Sequence, residues 1–265
     1  MPRLGQHFLN NTSAITVIIR TLEIKPDTHI IEIGPGKGAL TIPLLRAMEE
    51  KNAHITLIEK DIRLLLPLAE TIKQKFPNIK PTYIRGDAVE LLSEAINKFP
   101  HNTSYAIVGN IPYSITGALL RTISELKQKP EQIVIMVQKE VAERISAKAP
   151  EMNLLSAITH LWAASKILKI LNPEDFSPEP KVKSALLKLT PINPSISHEE
   201  LTQYSTFFKR VFKQPRKTLL NNLREDKKQA PETLKSILED LKIPQNARPQ
   251  DLTKALLIKL AQRLA

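Results

Sequence analysis

The 265-residue sequence contains no cysteine, one tryptophan and only seven glycines. Without cysteine there is no disulfide framework, no thiolate metal site and no thiol nucleophile, and the absence fits a reducing compartment. No metal is expected. The longest apolar runs, such as Leu64 to Ala69, fall far short of the roughly 20 residues that a bilayer-spanning helix needs. The start, Met1-Pro2-Arg3-Leu4-Gly5-Gln6, lacks the charged-then-apolar profile of a secretory leader. Together these absences lead to the expectation of a cytoplasmic protein with no membrane partner. Acidic residues are in deficit, 27 against 38 Lys and Arg, giving a net charge of +11. Such an excess suits a polyanionic partner, because neutralising phosphates releases condensed counterions. Many Lys-rich soluble proteins share it without binding nucleic acid, so composition alone does not decide.

What is present is an alternation. Short β-rich runs at Ile30–Ile33, Ile55–Ile58, Thr82–Arg85, Tyr105–Val108 and Ile133–Val137 are separated by longer helical patterns. Strand, helix, strand in this order predicts a parallel sheet covered on both faces, with apolar residues at consecutive strand positions. The fold class expected is α/β. Each strand ends at a residue suited to chemistry or a tight turn: Gly34, Glu59, Gly86-Asp87, Gly109-Asn110 and Gln138. In open α/β sheets ligands bind outside these carboxyl ends. Beyond Pro191 the pattern turns wholly helical, which divides the chain into residues 1–191 and a small all-helical domain, 192–265. The stretch from Pro191 onward carries 14 basic against 8 acidic residues, a net of +6, and is expected to face RNA. Leu252, Leu256, Leu260 and Leu264 form its last apolar stripe, which reads as core. Nothing calls for more than a monomer.

Glu32-Ile33-Gly34-Pro35-Gly36-Lys37-Gly38 follows the first strand, and Glu59 ends the next about 20 residues on, as expected for a carboxylate that accepts from two ribose hydroxyls. Nicotinamide and S-adenosylmethionine enzymes share this arrangement. Asp87, ending the third strand, can accept from an adenine amino group, or it is simply a turn residue. A dinucleotide enzyme needs its first turn to receive a pyrophosphate, and S-adenosylmethionine has none, so that cofactor is the expectation. Gly34 and Gly36 are placed at the site, where a backbone must approach closely.

Asn110-Ile111-Pro112-Tyr113 follows the fourth strand and is the most specific signal. The N6 amine of adenine is a poor nucleophile because its lone pair is delocalised into the ring. The Asn110 side-chain oxygen and the Ile111 carbonyl can each accept one N6–H bond, which favours a pyramidal nitrogen aimed at a sulfonium methyl. Pro112 holds the Ile111 carbonyl outward. Tyr113 offers an aromatic face to a base taken out of its stack. An isolated Asn-x-Pro-Tyr would read as a loop; its place after the glycine turn, Glu59 and Asp87 makes it catalytic.

With these motifs the sequence resembles the ribosomal RNA adenine N6-dimethyltransferase family nearly end to end. The resemblance implies a Rossmann-like S-adenosylmethionine methyltransferase sheet and, as substrate and partner, two adjacent adenines near the 3′ end of 16S rRNA in the small subunit or its precursor. It implies that Gly5-Gln6-His7-Phe8-Leu9-Asn10 covers the methionine part of the cofactor, with His7, Leu9 and Asn110 among the cofactor contacts. It implies that Phe176, in Phe176-Ser177-Pro178-Glu179-Pro180-Lys181-Val182, stacks opposite Tyr113, whereas Phe176 alone reads as a core aromatic. Lys213, Arg216 and Lys217, beside Pro215, read as a phosphate-binding patch at a helix start or as a solvated charged face. Two departures from the family pattern stand out: Lys148-Ala149-Pro150-Glu151-Met152-Asn153-Leu154 where a Tyr-Gly pair is usual, and Lys183 in place of an acidic residue. A related 23S rRNA adenine methyltransferase of the antibiotic-resistance type, and a non-catalytic assembly factor, are the competing readings.

Overall fold

A computed structural model describes residues 6–192, 196–225 and 229–264. Its strands are β1 (Phe8–Leu9), β2 (His29–Ile33), β3 (His54–Glu59), β4 (Thr82–Arg85), β5 (Tyr105–Asn110), β6 (Gln132–Gln138), β7 (Ala163–Leu171), β8 (Phe176–Ser177) and β9 (Ser184–Pro191). The α-helices are α1 (Thr12–Leu22), α2 (Thr41–Met48), α3 (Ile62–Lys75), α4 (Ala88–Asn97), α5 (Thr116–Glu125), α6 (Lys139–Ser146), α7 (Leu154–Trp162), α8 (His198–Val211), α9 (Leu219–Arg224), α10 (Pro231–Asp240) and α11 (Lys254–Leu264). Seven strands form one sheet in the order β4-β3-β2-β5-β6-β9-β7. The first five run parallel, each connected through a helix, and β9 returns antiparallel along β6. All five strands expected from the sequence are present, and the connections are those of a Rossmann-like α/β fold.

The consecutive apolar residues explain the burial. Ile30, Ile31 and Ile107 are fully enclosed, as are Ile133 to Val137 apart from a trace at Met136, because helices cover both faces of the central strands. β2 and β5 come together at Ile33 and Gly109, where a Cβ on Gly109 would lie 2.3 Å from the Ile33 carbonyl oxygen. Glycine is therefore required there by space alone. The N-terminal segment is tied down by a separate two-stranded pairing of β1 with β8, in which Leu9 faces Phe176. Asn10 N–H also donates to the Asp175 carbonyl at 2.9 Å, and the Asn11 amide to the Asp175 carboxylate at 2.6 Å.

The chain divides into two compact units, 6–142 with 166–191, and 143–165 with 192–264, within the described residues. The division at Pro191 matches the change in sequence character, but 143–165 clusters with the helical unit. That assignment has a packing cause: α7 lies against α8 and α11, and its Trp162 carbonyl accepts from Ile192 N–H at 3.0 Å. A sequence boundary cannot show that an earlier helix packs with later ones. The last helix also differs in detail. Leu257, Leu260, Ala261 and Leu264 form its buried stripe, while Leu256 is half-buried and Leu252 is buried ahead of the helix start. The i, i+3, i+4, i+7 spacing fits 3.6 residues per turn better than a strict step of four. Among the described residues no helix is long and apolar enough to cross a membrane, and no group of three or more His, Asp or Glu is placed to hold a metal ion.

Candidate active site

A cleft opens at the carboxyl ends of β2, β3, β4 and β5, beside the point where the strand order reverses. Three of its walls are the glycine turn after β2, the carboxylates that end β3 and precede α4, and the segment 110–115 after β5. The fourth is the N-terminal stretch Gln6–Phe8. Gly36 has φ +57, a conformation that favours glycine, and a Cβ there would lie a tight 3.0 Å from the Phe8 ring.

Glu59 is buried, and each of its oxygens already accepts one backbone N–H, Oε2 from Gly36 at 3.1 Å and Oε1 from Asp61 at 2.9 Å. Two fixed donors on the protein side hold the carboxylate still, and each oxygen keeps a lone pair for a hydroxyl. The same bond bears on the choice of cofactor. Gly34 N–H donates to the Ile58 carbonyl, Gly36 N–H to Glu59 and Gly38 N–H to the Pro35 carbonyl. With all three committed, the turn has no glycine N–H left to cradle a pyrophosphate, which weighs against a dinucleotide.

Asp87 caps a helix and also lines the cleft. Its Oδ1 caps α4 by accepting from Val89 N–H at 3.0 Å, and its Oδ2 accepts from Lys60 at 2.9 Å, while the residue still lines the cleft. The Lys60 ammonium first, then the Val89 N–H, hold its carboxyl below the ordinary range. Lys60 is 60% exposed, so this contact exchanges easily with solvent or a ligand.

The most informative contact belongs to Asn110. Its Nδ2 donates to the His7 carbonyl at 2.6 Å. A carbonyl can only accept, so the amide orientation is determined: nitrogen toward His7, and Oδ1 free of a donor among the described residues. This is the acceptor that an exocyclic amine needs. Ile111 and Pro112 line the same wall, with Pro112 at φ −56 and ψ 132. The Tyr113 hydroxyl is 2.6 Å from the Ser184 hydroxyl, which anchors the ring through a fully buried residue of β9. Burial raises the Tyr113 pKa above its ordinary value, so the phenol stays protonated.

His7 lies in the cleft, its ring 6.1 Å from that of Tyr113 and inclined by 21°. Its Nδ1 is 2.7 Å from the Pro178 carbonyl and must carry the proton there. Gly5 of the same motif lies outside the described residues. Two expected residues are elsewhere. Leu9 does not line the cleft; it is 4% exposed and packs in the core, because alternation along β1 turns Phe8 to the cleft and Leu9 away from it. Phe176 does not line the cleft either. Paired opposite Leu9, it is 2% exposed within the same core cluster, and the aromatic nearest to parallel with Tyr113 is His7.

Several residues had no role from sequence. Phe8 carries the Lys37 ammonium over its ring at 4.9 Å, and Ser184 anchors Tyr113. Glu32, two residues before Gly34, is 1% exposed, and its Oε2 has no partner among the described residues. Burial first, and then the charge of Glu59, push its pKa up to about 8. It borders a small cavity with Gly34, Leu9 and Asn110. An acid within a run of isoleucines was the available signal.

In the helical unit, Lys213, Arg216 and Lys217 do not open a helix. They occupy the turn before α9, whose cap is Thr218, with its hydroxyl accepting from Asn221 N–H. Lys213 and Lys217 lie 3.0 and 3.6 Å from Glu225, and the Gln214 amide donates to the same carboxylate. The turn is shaped by Asn222, fully buried, which accepts from Gln214 N–H at 2.9 Å and donates to the Gln214 and Thr218 carbonyls at 3.0 and 3.1 Å.

Fold and cleft together define a Rossmann-like methyltransferase. Comparison with known proteins is more specific. A family profile described as ribosomal RNA adenine dimethylase matches residues 1–265. The ribosomal RNA small subunit methyltransferase A of Dehalococcoides mccartyi is 36% identical over 223 residues, 83% of this chain and 73% of that protein. That of Malacoplasma penetrans is 30% identical over 97% of this chain and 89% of that protein. A solved dimethyladenosine transferase from Plasmodium falciparum superposes with a TM-score of 0.76 over 96% of each chain, and the 23S rRNA methyltransferase ErmE with 0.74 over 97% of this chain and 99% of that one. Both are 24% identical in sequence and share the fold. The chain belongs to the ribosomal RNA adenine dimethylase family.

Proposed function

We propose that this protein dimethylates the N6 amines of two adjacent adenines near the 3′ end of 16S rRNA, with S-adenosylmethionine as methyl donor. The observation that carries the reading is the Asn110 amide, whose nitrogen is committed to the His7 carbonyl so that Oδ1 is left as the open acceptor of a residue that lines the cleft.

The residues present fit the cofactor. Glu59, held by two backbone N–H groups, suits the ribose hydroxyls, and Asp87 suits the adenine amino group. Gly34 and Gly36 leave room where a Cβ would meet the Asn110 carbonyl or the Phe8 ring. When bound, S-adenosylmethionine supplies an activated methyl group on a sulfonium. The chain's own part is positioning. Asn110 Oδ1 and the Ile111 carbonyl accept the two N6–H bonds, which localises the nitrogen lone pair. Tyr113, fixed through Ser184, supports the ring of the base, and a well-placed acceptor of this kind contributes about 10²–10³ in rate. No strong base is needed, because the amine becomes acidic only as the N–C bond forms. The basic turn at Lys213, Arg216 and Lys217 supplies exchangeable contacts to RNA phosphates.

The test is incubation with labelled S-adenosylmethionine and unmethylated small subunits, large subunits or naked rRNA, followed by mapping of the modified bases. Label on two neighbouring adenines of small-subunit RNA is expected. Label only in large-subunit RNA would favour the resistance-type activity, and binding without label would favour an assembly role.

A further inference from the structure

We propose that a second cavity, lying wholly within the helical unit, binds a nucleotide, its phosphate held by Lys148 and Lys254 and its base lying on an aliphatic wall that includes Met152 and Ile192. The cavity measures about 460 Å³, within the range of small-molecule sites. All of its lining residues belong to the unit formed by 143–165 and 192–264. It is separate from the cleft, and the proposal does not depend on the methyl-transfer reading.

The electrostatics point to an anion. Two lysines from distant parts of the sequence converge on one cavity whose lining contains no carboxylate, and among the described residues neither has an acidic partner within salt-bridge distance. Two uncompensated ammonium groups at one cavity repel each other, and a phosphate removes that cost. His160 sits with them. Burial first, then Lys254, then Lys148, hold its imidazolium below the ordinary range, against a smaller opposing effect from the Ile145 backbone. Its Nε2 lies 3.4 Å from the Ser165 hydroxyl. A neutral imidazole in the lining, with the Ser165 hydroxyl beside it, offers hydrogen-bonding groups of the kind a base with a polar rim requires.

The experiment follows histidine ring resonances by ¹H–¹⁵N correlation, with His160 assigned through His160→Gln. The probe is uridine 5′-monophosphate, chosen because the cleft is built for adenosine. Saturable movement of the His160 signals is expected, together with a rise in the His160 pKa as the phosphate offsets the two lysines. Lys148→Gln and Lys254→Gln should each weaken the nucleotide on the order of tenfold while leaving S-adenosylhomocysteine binding unchanged. A single-stranded oligouridylate moving the same signals identifies RNA as the source, and movement by the mononucleotide alone identifies a free nucleotide; either supports the site. No saturable change up to about 10 mM nucleotide, or binding indifferent to both lysines, overturns it. Inorganic phosphate binding as tightly as the nucleotide overturns the nucleotide assignment. Loss of methyl transfer with this binding intact would count against the function proposed for the cleft and leave the second site standing.

Discussion

The cleft and the basic turn before α9 both hold polar groups that the sequence brings into view, yet they are built in opposite ways. In the cleft three polar side chains are fixed by the backbone: Glu59 by two N–H groups, Asp87 by that of Val89, Asn110 by the His7 carbonyl. In the turn, Lys213 and Lys217 are 62% and 52% exposed and share one carboxylate. A backbone bond ties a side chain to a rigid frame, while an exposed ion pair is worth little and exchanges readily. Chemistry at one nitrogen needs the first. Under the proposed function, RNA phosphates would meet the second.

Several changes would sharpen or break this contrast. The largest effect is expected from Phe176→Ala, which should cost about 3–5 kcal/mol of unfolding free energy in denaturant titrations, because it empties a core position. Phe176→Leu should cost far less and retain methyl transfer; a selective loss of transfer in that variant would return Phe176 to the cleft as a stacking group. Next comes Asn222→Ala, which leaves the Gln214 N–H without its acceptor, while the Gln214 and Thr218 carbonyls keep the backbone N–H groups of Lys217 and Asn222, and should cost about 1–3 kcal/mol, read in the same way. If its effect fell only on RNA affinity, the turn would be less rigidly founded than its hydrogen bonds indicate.

Glu32, buried just ahead of the glycine turn, allows a test through pH. A carboxyl raised by burial from 4.5 to about 8 is comfortable in the fold only while protonated. Its contribution to the cofactor-free protein is complete below about pH 4.5 and is lost as pH rises through about 8. Glu32→Gln should flatten that decline in unfolding experiments between pH 5 and pH 8, and an unchanged slope would place the titration elsewhere. The smallest effect is expected from Glu225→Gln, which releases Lys213 and Lys217. RNA affinity at low salt should rise about twofold to fivefold with a steeper salt dependence. Weaker binding would show that Glu225 orders the turn for RNA.

The sheet was legible because five runs of consecutive apolar residues can be satisfied only by burial on both faces, and the strand ends then fell at Gly34, Glu59, Asp87 and Asn110 without further information. What the sequence could not show were contacts between distant segments. Nothing local to Phe176 reveals that β8 pairs with β1 and turns its ring into the core. Nothing near Lys148 shows that 143–165 joins the helical unit. Glu225 and Asn222, which reshape the basic turn, carry no motif. Family resemblance assigned Leu9 to the cofactor and Phe176 to the target base, and the side chains of both pack in the core cluster and are not part of the cleft lining.

The central claim is that one oriented amide presents an acceptor to the target amine. Single-turnover methyl transfer by Asn110→Ala, with S-adenosylmethionine affinity measured on the same preparation by calorimetry, tests it most directly. The structure predicts transfer slowed by about 10²–10³ with cofactor affinity changed by less than about tenfold. Transfer at the unaltered rate would remove Asn110 from the chemistry and contradict the account.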